Sequence, residues 1–76
     1  MAFEIRIVND DGTGVPGIRV AIAFEGFTRG MAEARTDADG CARFDGHKEG
    51  GIKVFLDGRE RGHHRYRDGV SITLPR

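Results

Sequence analysis

The feature that most constrains the fold is an alternation of apolar and polar residues that recurs along most of the chain. In the run from Ile18 to Phe24, for example, every second residue is large and apolar. Successive side chains of a strand point to opposite faces, so this period predicts strands with one buried face. No window keeps apolar residues at helical spacing over three turns, so no helix is predicted. The side chains expected to point inward are Phe3, Ile5, Ile7, Ile18, Val20, Ile22, Phe24, Ala32, Ala34, Ala42, Phe44, Ile52, Val54, Leu56, Val70, Ile72 and Leu74.

Turn signals stand at the borders of these runs. The pair Asp-Gly occurs five times, and it suits tight turns because Gly adopts positive φ without a side-chain clash. We expect two of these pairs, Asp39-Gly40 and Asp57-Gly58, to be hairpin tips. Short strands joined by turns, with no helix to cover a sheet, predict an all-β fold in which two antiparallel sheets pack face to face.

Length and composition limit the organisation of the chain. The 76 residues allow one domain, expected to span 1–76. Lys and Arg number 12, as do Asp and Glu, so the zero net charge gives no support for a nucleic-acid or membrane partner. The single cysteine excludes an internal disulfide. Because charges interrupt the first apolar run, this run resembles neither a signal peptide nor a membrane anchor. We expect a cytoplasmic location if the chain is full-length, and we make no prediction of location if it is an excised domain.

Two segments carry a family resemblance. Segment 8–20 reads Val-Asn-Asp-Asp-Gly-Thr-Gly-Val-Pro-Gly-Ile-Arg-Val and resembles the first hairpin of transthyretin-like domains, especially the carboxypeptidase regulatory-like group. Segment 34–44 resembles the Thr-Asp-x-Asp-Gly-x-x-x-Phe turn of that family, with Thr36 as its first residue. The resemblance implies a Greek-key sandwich of about seven strands, usually an accessory or binding module beside a larger functional domain. The last third of the chain departs from the family pattern.

One branch of the same superfamily is enzymatic. Hydroxyisourate hydrolases carry a His in the first strand, further Arg and His residues, and a Tyr-Arg-Gly-Ser terminus. Here the first strand has no His, and the similar run Tyr66-Arg67-Asp68-Gly69 lies before the last strand of the chain. We therefore expect no enzyme, and a hydroxyisourate-hydrolase-like activity is the least favoured alternative.

The densest cluster of functional side chains is the segment 59–67, which holds four Arg, two His and one Tyr. Arginine forks bind carboxylate or phosphate in pairs of hydrogen bonds, and a Tyr among them can stack on a ligand. The alternative is a solvated edge strand whose charges prevent unwanted pairing and are neutralised by nearby acids, namely Glu49, Asp57, Glu60 and Asp68. The candidate binding residues, with two apolar anchors, are Arg59, Arg61, His63, His64, Arg65, Tyr66, Arg67, Phe27 and Phe55.

No metal site or cofactor is predicted. His63 and His64 are adjacent, so they point to opposite faces of a strand and cannot share a metal, and the position of His47 is not fixed by the sequence. The segment 37–40, Asp-Ala-Asp-Gly, begins like a calcium loop, but the later ligand positions of such a loop hold Cys, Ala and Lys. We interpret this segment as a turn.

Nucleophilic catalysis has little support. Cys41 lies beside Arg43, which favours a lowered thiol pKa, but no base can be assigned to it from spacing. We expect a non-catalytic accessory or protein-interaction module whose partner is another protein, or a second copy, bound through an edge strand. A module for a carbohydrate or an anionic small ligand is the alternative, and no nucleic acid or membrane partner is expected.

Overall fold

The computed structural model describes residues 2–26, 30–45 and 49–76. Its regular structure in these residues consists of strands alone, as the alternating pattern predicts. The seven strands are β1 (Ala2–Val8), β2 (Arg19–Phe24), β3 (Met31–Arg35), β4 (Cys41–Asp45), β5 (Glu49–Leu56), β6 (Arg59–Arg67) and β7 (Ser71–Pro75). The predicted all-β sandwich of about seven strands is confirmed.

Two sheets of unequal width form the sandwich. One sheet has three strands in the order β4-β1-β7, and the other has four in the order β3-β2-β5-β6. All neighbours are antiparallel except β1 and β7, which run parallel. The prediction of wholly antiparallel sheets is therefore wrong at this pair. After β6 the chain passes to the other sheet and runs beside β1 in the same direction, which alternation within single strands does not reveal.

The core contains most of the side chains expected there. Val70, which was expected to point inward, is 40% exposed; it lies in the turn between β6 and β7, where its N–H donates to the Arg67 C=O. Val15 and Tyr66 are buried although neither was predicted to be. Phe24, Ala32, Ala34 and Ile72 are partly buried and pack against the core. The buried apolar residues are Phe3, Ile5, Ile7, Val15, Ile18, Val20, Ile22, Ala42, Phe44, Ile52, Val54, Leu56, Tyr66 and Leu74.

The two expected hairpin tips have different outcomes. Asp57 and Gly58 join β5 to β6 as a two-residue turn with φ of 48° and 86°, so this prediction is confirmed. Asp39-Gly40 is wrong as a hairpin tip, because β3 and β4 lie in different sheets. Local residues determine the turn, but the strands that follow it pair with distant partners.

Segment 8–20 folds back beside the end of β1 through an antiparallel bridge between Val8 and Gly14, but the strands it joins, β1 and β2, do not pair with each other. It leaves β1 in the three-stranded sheet and enters β2 in the other. Ile7 bonds to both connections between the sheets, segment 8–20 and the β3–β4 connection. Its C=O accepts from the Val15 N–H and its N–H donates to the Gly40 C=O, each at 2.8 Å. Gly40 has φ of +82°, and a Cβ there would lie 2.6 Å from the Ile7 carbonyl oxygen. Only glycine fits this crossing.

Thr36 ties the two connections together. It is the one buried polar side chain of the described residues, at 5% exposure. Its hydroxyl donates to the Val15 C=O at 2.6 Å and accepts from the Ile18 N–H at 2.9 Å. Its backbone N–H and C=O pair with Ile18 and Gly17. The two segments that carry the family resemblance therefore contact each other, and their shared residues serve the fold.

Candidate functional site

A β-bulge decides where the side chains of β6 point. Lys53 pairs with His63 and Phe55 pairs with Glu60, so two residues of β6, Arg61 and Gly62, stand opposite Val54 alone. Gly62 has φ of +86°, a conformation that glycine supplies without strain. The extra residue reverses the inward and outward positions of everything that follows it in the strand.

The bulge divides the predicted binding cluster between two faces. His63, Arg65 and Arg67 lie on the outer face of the four-stranded sheet, whereas His64 and Tyr66 stand on the side of Ile52 and the core. Arg59 and Arg61 precede the reversal and also lie on the inward side, opposite Leu56 and Val54. The described arrangement thus brings Arg65 and Arg67 together and separates them from Arg59 and Arg61.

Tyr66 belongs to the core and not to a contact surface. Its side chain is 2% exposed, and its ring stacks on Phe3 with centroids 4.5 Å apart and meets Phe24 edge-on at 5.7 Å. The residue opposite on β5 is Gly50, where an added Cβ would lie 3.0 Å from the Tyr66 ring. The expectation of Tyr66 as a binding residue is wrong, because the bulge turns it inward and Gly50 leaves room for it.

The two adjacent histidines point to opposite faces, as expected for a strand. The Nδ1 of His63 contacts the carboxylate of Glu25 on the outer face. The Nε2 of His64 lies 3.1 Å from the carbonyl oxygen of Arg61, inside the bulge. Within residues 2–26, 30–45 and 49–76, no three His, Cys, Asp or Glu side chains form a cluster that could hold a metal. The predicted contact Phe27 and the third histidine, His47, lie outside the described residues.

The outer face of the four-stranded sheet carries an open groove of about 700 Å³. Its large apolar residues are Met31, which is 73% exposed, and the half-buried Phe24 and Phe55. Small residues such as Ala23 form its floor, and Lys53 and His63 line it. Phe55 thus takes the outward position predicted for it.

Carboxylates pair with two of the cations on this outer face, whereas Arg65 takes part in no ion pair among the described residues. Lys53 Nζ lies 3.3 Å from Glu60, and Arg67 Nε lies 3.7 Å from Glu49. Such exposed pairs contribute about 0–1 kcal/mol each. The other two predicted acids bond to backbone instead: Asp57 accepts from the Arg19 N–H, and Asp68 accepts from the Ala2 N–H. Of the four predicted acids, two thus pair with cations of this face and two bond to backbone N–H groups.

The surroundings of Cys41 do not lower the pKa of its thiol. Partial burial raises the pKa of its thiol, and the charges of Glu4 and Asp37 raise it further. The suggested lowering by Arg43 is therefore wrong. The turn reading of segment 37–40 is supported, because the Asp37 carboxylate accepts from the N–H groups of Asp39 and Cys41 at 2.9 and 3.0 Å.

The flank of the sandwich formed by β6 and β7 is incompletely covered. Strands lie about 4.8 Å apart, so a sheet of three strands is about one strand narrower than a sheet of four. On this flank the inward-facing Arg59 is exposed and Arg61 and His64 are half-exposed, whereas the inward residues of neighbouring β5 are buried. The Arg61 guanidinium reaches across and donates to the Pro75 C=O of β7 at 2.9 Å.

At the outer edge of β7, the backbone groups of Ser71 and Thr73 have no hydrogen-bond partner among the described residues. The Glu4 N–H donates to the Val70 C=O and the Arg76 N–H donates to the Val8 C=O. Even-numbered residues of this segment therefore face β1, and the N–H and C=O groups of Ser71 and Thr73 point away from it. We call the outer edge of β7, together with Arg59, Arg61 and His64 of β6, the open side.

Comparison with known proteins gives no family assignment: no protein-family model matches the chain, and no curated protein shows significant sequence similarity to it. No helix of the described residues has the length and hydropathy needed to cross a membrane.

The sequence interpretation missed three features of these surfaces. Met31 lies in a run of small and charged residues, where a single exposed Met has no distinguishing pattern. The pairing of Glu25 with His63 joins positions 38 residues apart. The bulge had a visible signal, because Gly62 interrupts a strand and an isolated Gly inside a strand often marks a bulge.

Proposed function

We propose that this domain is a non-catalytic interaction module that binds an extended segment of another protein at its open side. One observation supports this most strongly: Arg59, Arg61 and His64 on the inward side of β6 are not buried, and beside them the backbone groups of Ser71 and Thr73 at the edge of β7 are directed outward. An added strand would pair with these groups and cover the inward side of β6. Strand addition of this kind obtains affinity from backbone hydrogen bonds and specificity from alternate side chains.

The edges at β6 and β4 are less suited to this role. The edge at β6 is interrupted by the bulge at Gly62, which distorts the row of backbone groups. At the edge of β4, the Cys41 N–H and C=O already bond to Asp37. At β7 the outward positions Ser71 and Thr73 are free of such bonds among the described residues, and they lie next to the incompletely buried inward side of β6.

The transthyretin-like resemblance agrees with an accessory role and forms part of the proposal. The segments 8–20 and 34–44 meet at Thr36, and Gly40 packs against Ile7, so the shared motif residues support the fold. A family defined by such residues shares a scaffold, and binding is then carried by surfaces that vary.

A module for a carbohydrate or anionic ligand is the second candidate, favoured by the groove beside Phe55. Lys53 and His63 line that groove, but each already contacts a carboxylate. A free anion would have to compete with these carboxylates. The open side carries two guanidinium groups with no carboxylate partner among the described ion pairs, so we favour the protein partner.

A peptide library tests the proposal. Random ten-residue segments displayed on phage are selected on the immobilised domain, and enriched sequences are measured against Thr73→Pro and Arg43→Pro variants. Thr73→Pro removes an outward N–H from β7, and Arg43→Pro removes one from the opposite edge of the same sheet, where Ala42 and Phe44 face β1. We expect only Thr73→Pro to weaken binding, by about tenfold or more. Equal binding to both variants, or no enrichment, would contradict the proposal.

A further inference from the structure

The charges of the open side indicate what kind of strand fits it. Arg59 stands opposite Leu56 and Arg61 stands in the bulge opposite Val54, so both are on the inward side of β6, where Arg61 reaches the edge of β7 at Pro75. Neither guanidinium takes part in an ion pair in the described structure. All acidic residues of the chain lie within the described ranges, and none has a carboxylate oxygen within 4.0 Å of either guanidinium.

The partly buried setting makes these two charges selective. Arg61 is half-buried and spans from β6 to the Pro75 carbonyl, and His64 packs inside the same bulge. In a strand placed beside β7, every second side chain would face the surface formed by Arg59, Arg61 and His64. Opposite charge at such positions is favourable, whereas like charge costs stability.

We propose, as a deepening of the proposed function, that the occupant of the open side is an acidic extended segment of a partner protein. Its backbone pairs with Ser71 and Thr73 of β7, and Asp or Glu at alternate positions faces Arg59 and Arg61. Planar guanidinium groups bind carboxylates with paired hydrogen bonds, which gives this side a preference for Asp and Glu over neutral side chains.

A second copy of the chain is a poor fit for the same position. In a two-fold dimer the same surface meets itself. Pairing through the β7 edges would bring Arg59 and Arg61 of one copy towards the same residues of the other. No acidic residue of the open side offsets this repulsion, since the residues that compose it are Ser71, Thr73, Arg59, Arg61 and His64.

Three peptides of alternating sequence provide the probe. Each is a fluorescein-labelled nine-residue strand with Thr at odd positions and Glu, Gln or Lys at even positions, measured by fluorescence anisotropy at about 50 mM salt. We expect the Glu peptide to bind at least tenfold more tightly than the Lys peptide, with the Gln peptide between them. The difference should shrink as salt increases, because exposed charges are screened within about 10 Å at 0.1 M.

Paired arginine variants locate the preference. Arg59→Ser combined with Arg61→Ser should abolish the advantage of Glu over Gln. Arg65→Ser combined with Arg67→Ser removes the same charge from the outer face of the same strand and should preserve the advantage of Glu over Gln. Thermal melts of both variants confirm that each is folded. Equal loss in both pairs would mean a general effect of net charge and would overturn the assignment to the open side.

The remaining outcomes separate this inference from the proposed function. If library peptides depend on Thr73 but show no preference for Glu, strand addition holds and the acidic partner is wrong. If light scattering shows a dimer that Thr73→Pro dissociates, the occupant is a second copy and the acidic partner is again wrong. If no peptide binding depends on Thr73, both proposals fail.

Discussion

The substitution Thr36→Val tests how the two connections between the sheets are held together. Valine matches threonine in shape but removes the hydroxyl that serves the Val15 C=O and the Ile18 N–H. These backbone groups are buried, and each group left unpaired costs about 1–3 kcal/mol. We therefore expect Thr36→Val to lower the free energy of unfolding by about 2–6 kcal/mol. A 76-residue domain has only about 4–11 kcal/mol in total.

The matched control is Thr36→Ser, which keeps the hydroxyl and loses one methyl group. Its expected cost is about 1 kcal/mol. Urea unfolding followed by far-UV circular dichroism and by the fluorescence of Tyr66, the only tyrosine of a chain without tryptophan, measures both variants. At about 4–8 °C per kcal/mol, the valine variant should melt at least about 10 °C below the wild type. A valine variant within about 1 kcal/mol of wild type, or no more destabilised than the serine variant, would refute the reasoning.

Two further predictions concern single positions. Gly40→Ala should destabilise the domain by at least about 3 kcal/mol in urea unfolding, because its Cβ would clash with the Ile7 carbonyl. The control Gly12→Ala has a similar φ of +84° but open space around it, so it should cost only about 1–2 kcal/mol. Equal costs would contradict the close contact of Gly40 with Ile7. Burial raises the pKa of the Cys41 thiol, so less thiolate is present at pH 8 in the folded domain than in the unfolded chain. Iodoacetamide should therefore react more slowly with the folded domain than with the urea-unfolded chain. The pH at which the reaction rate is half-maximal should also be higher for the folded domain. A lower midpoint in the folded domain would mean that Cys41 is activated after all.

Much of the fold is predictable from local pattern. Alternation identifies the strands because one face of each is buried, as at Ile5 and Ile22. The Asp57-Gly58 turn is predictable because two residues of positive φ suit a two-residue hairpin. Asp39-Gly40 has the same two residue types but lies in a connection between the sheets, because β3 pairs with β2 in one sheet and β4 pairs with the distant β1 in the other. The same limit applies to the parallel contact of β1 with β7.

The candidate site is less predictable because one residue changes it. Gly62 shifts the register of β6, so that Tyr66 enters the core while Arg65 and Arg67 face outward. Reading segment 59–67 as one basic cluster ignores this reversal. The open side depends in addition on the difference in strand number between the sheets, which no local motif encodes.

Amide hydrogen exchange tests the central claim, strand addition at the open side, most directly. In the free domain the Ser71 and Thr73 amides point away from β1 and should exchange rapidly. With saturating Glu-Thr peptide we expect both to become protected, while the Arg43 amide on the opposite edge of the sheet is unchanged. Protection of Arg43 instead, or unchanged exchange at Ser71 and Thr73 in a saturated complex, would contradict the account.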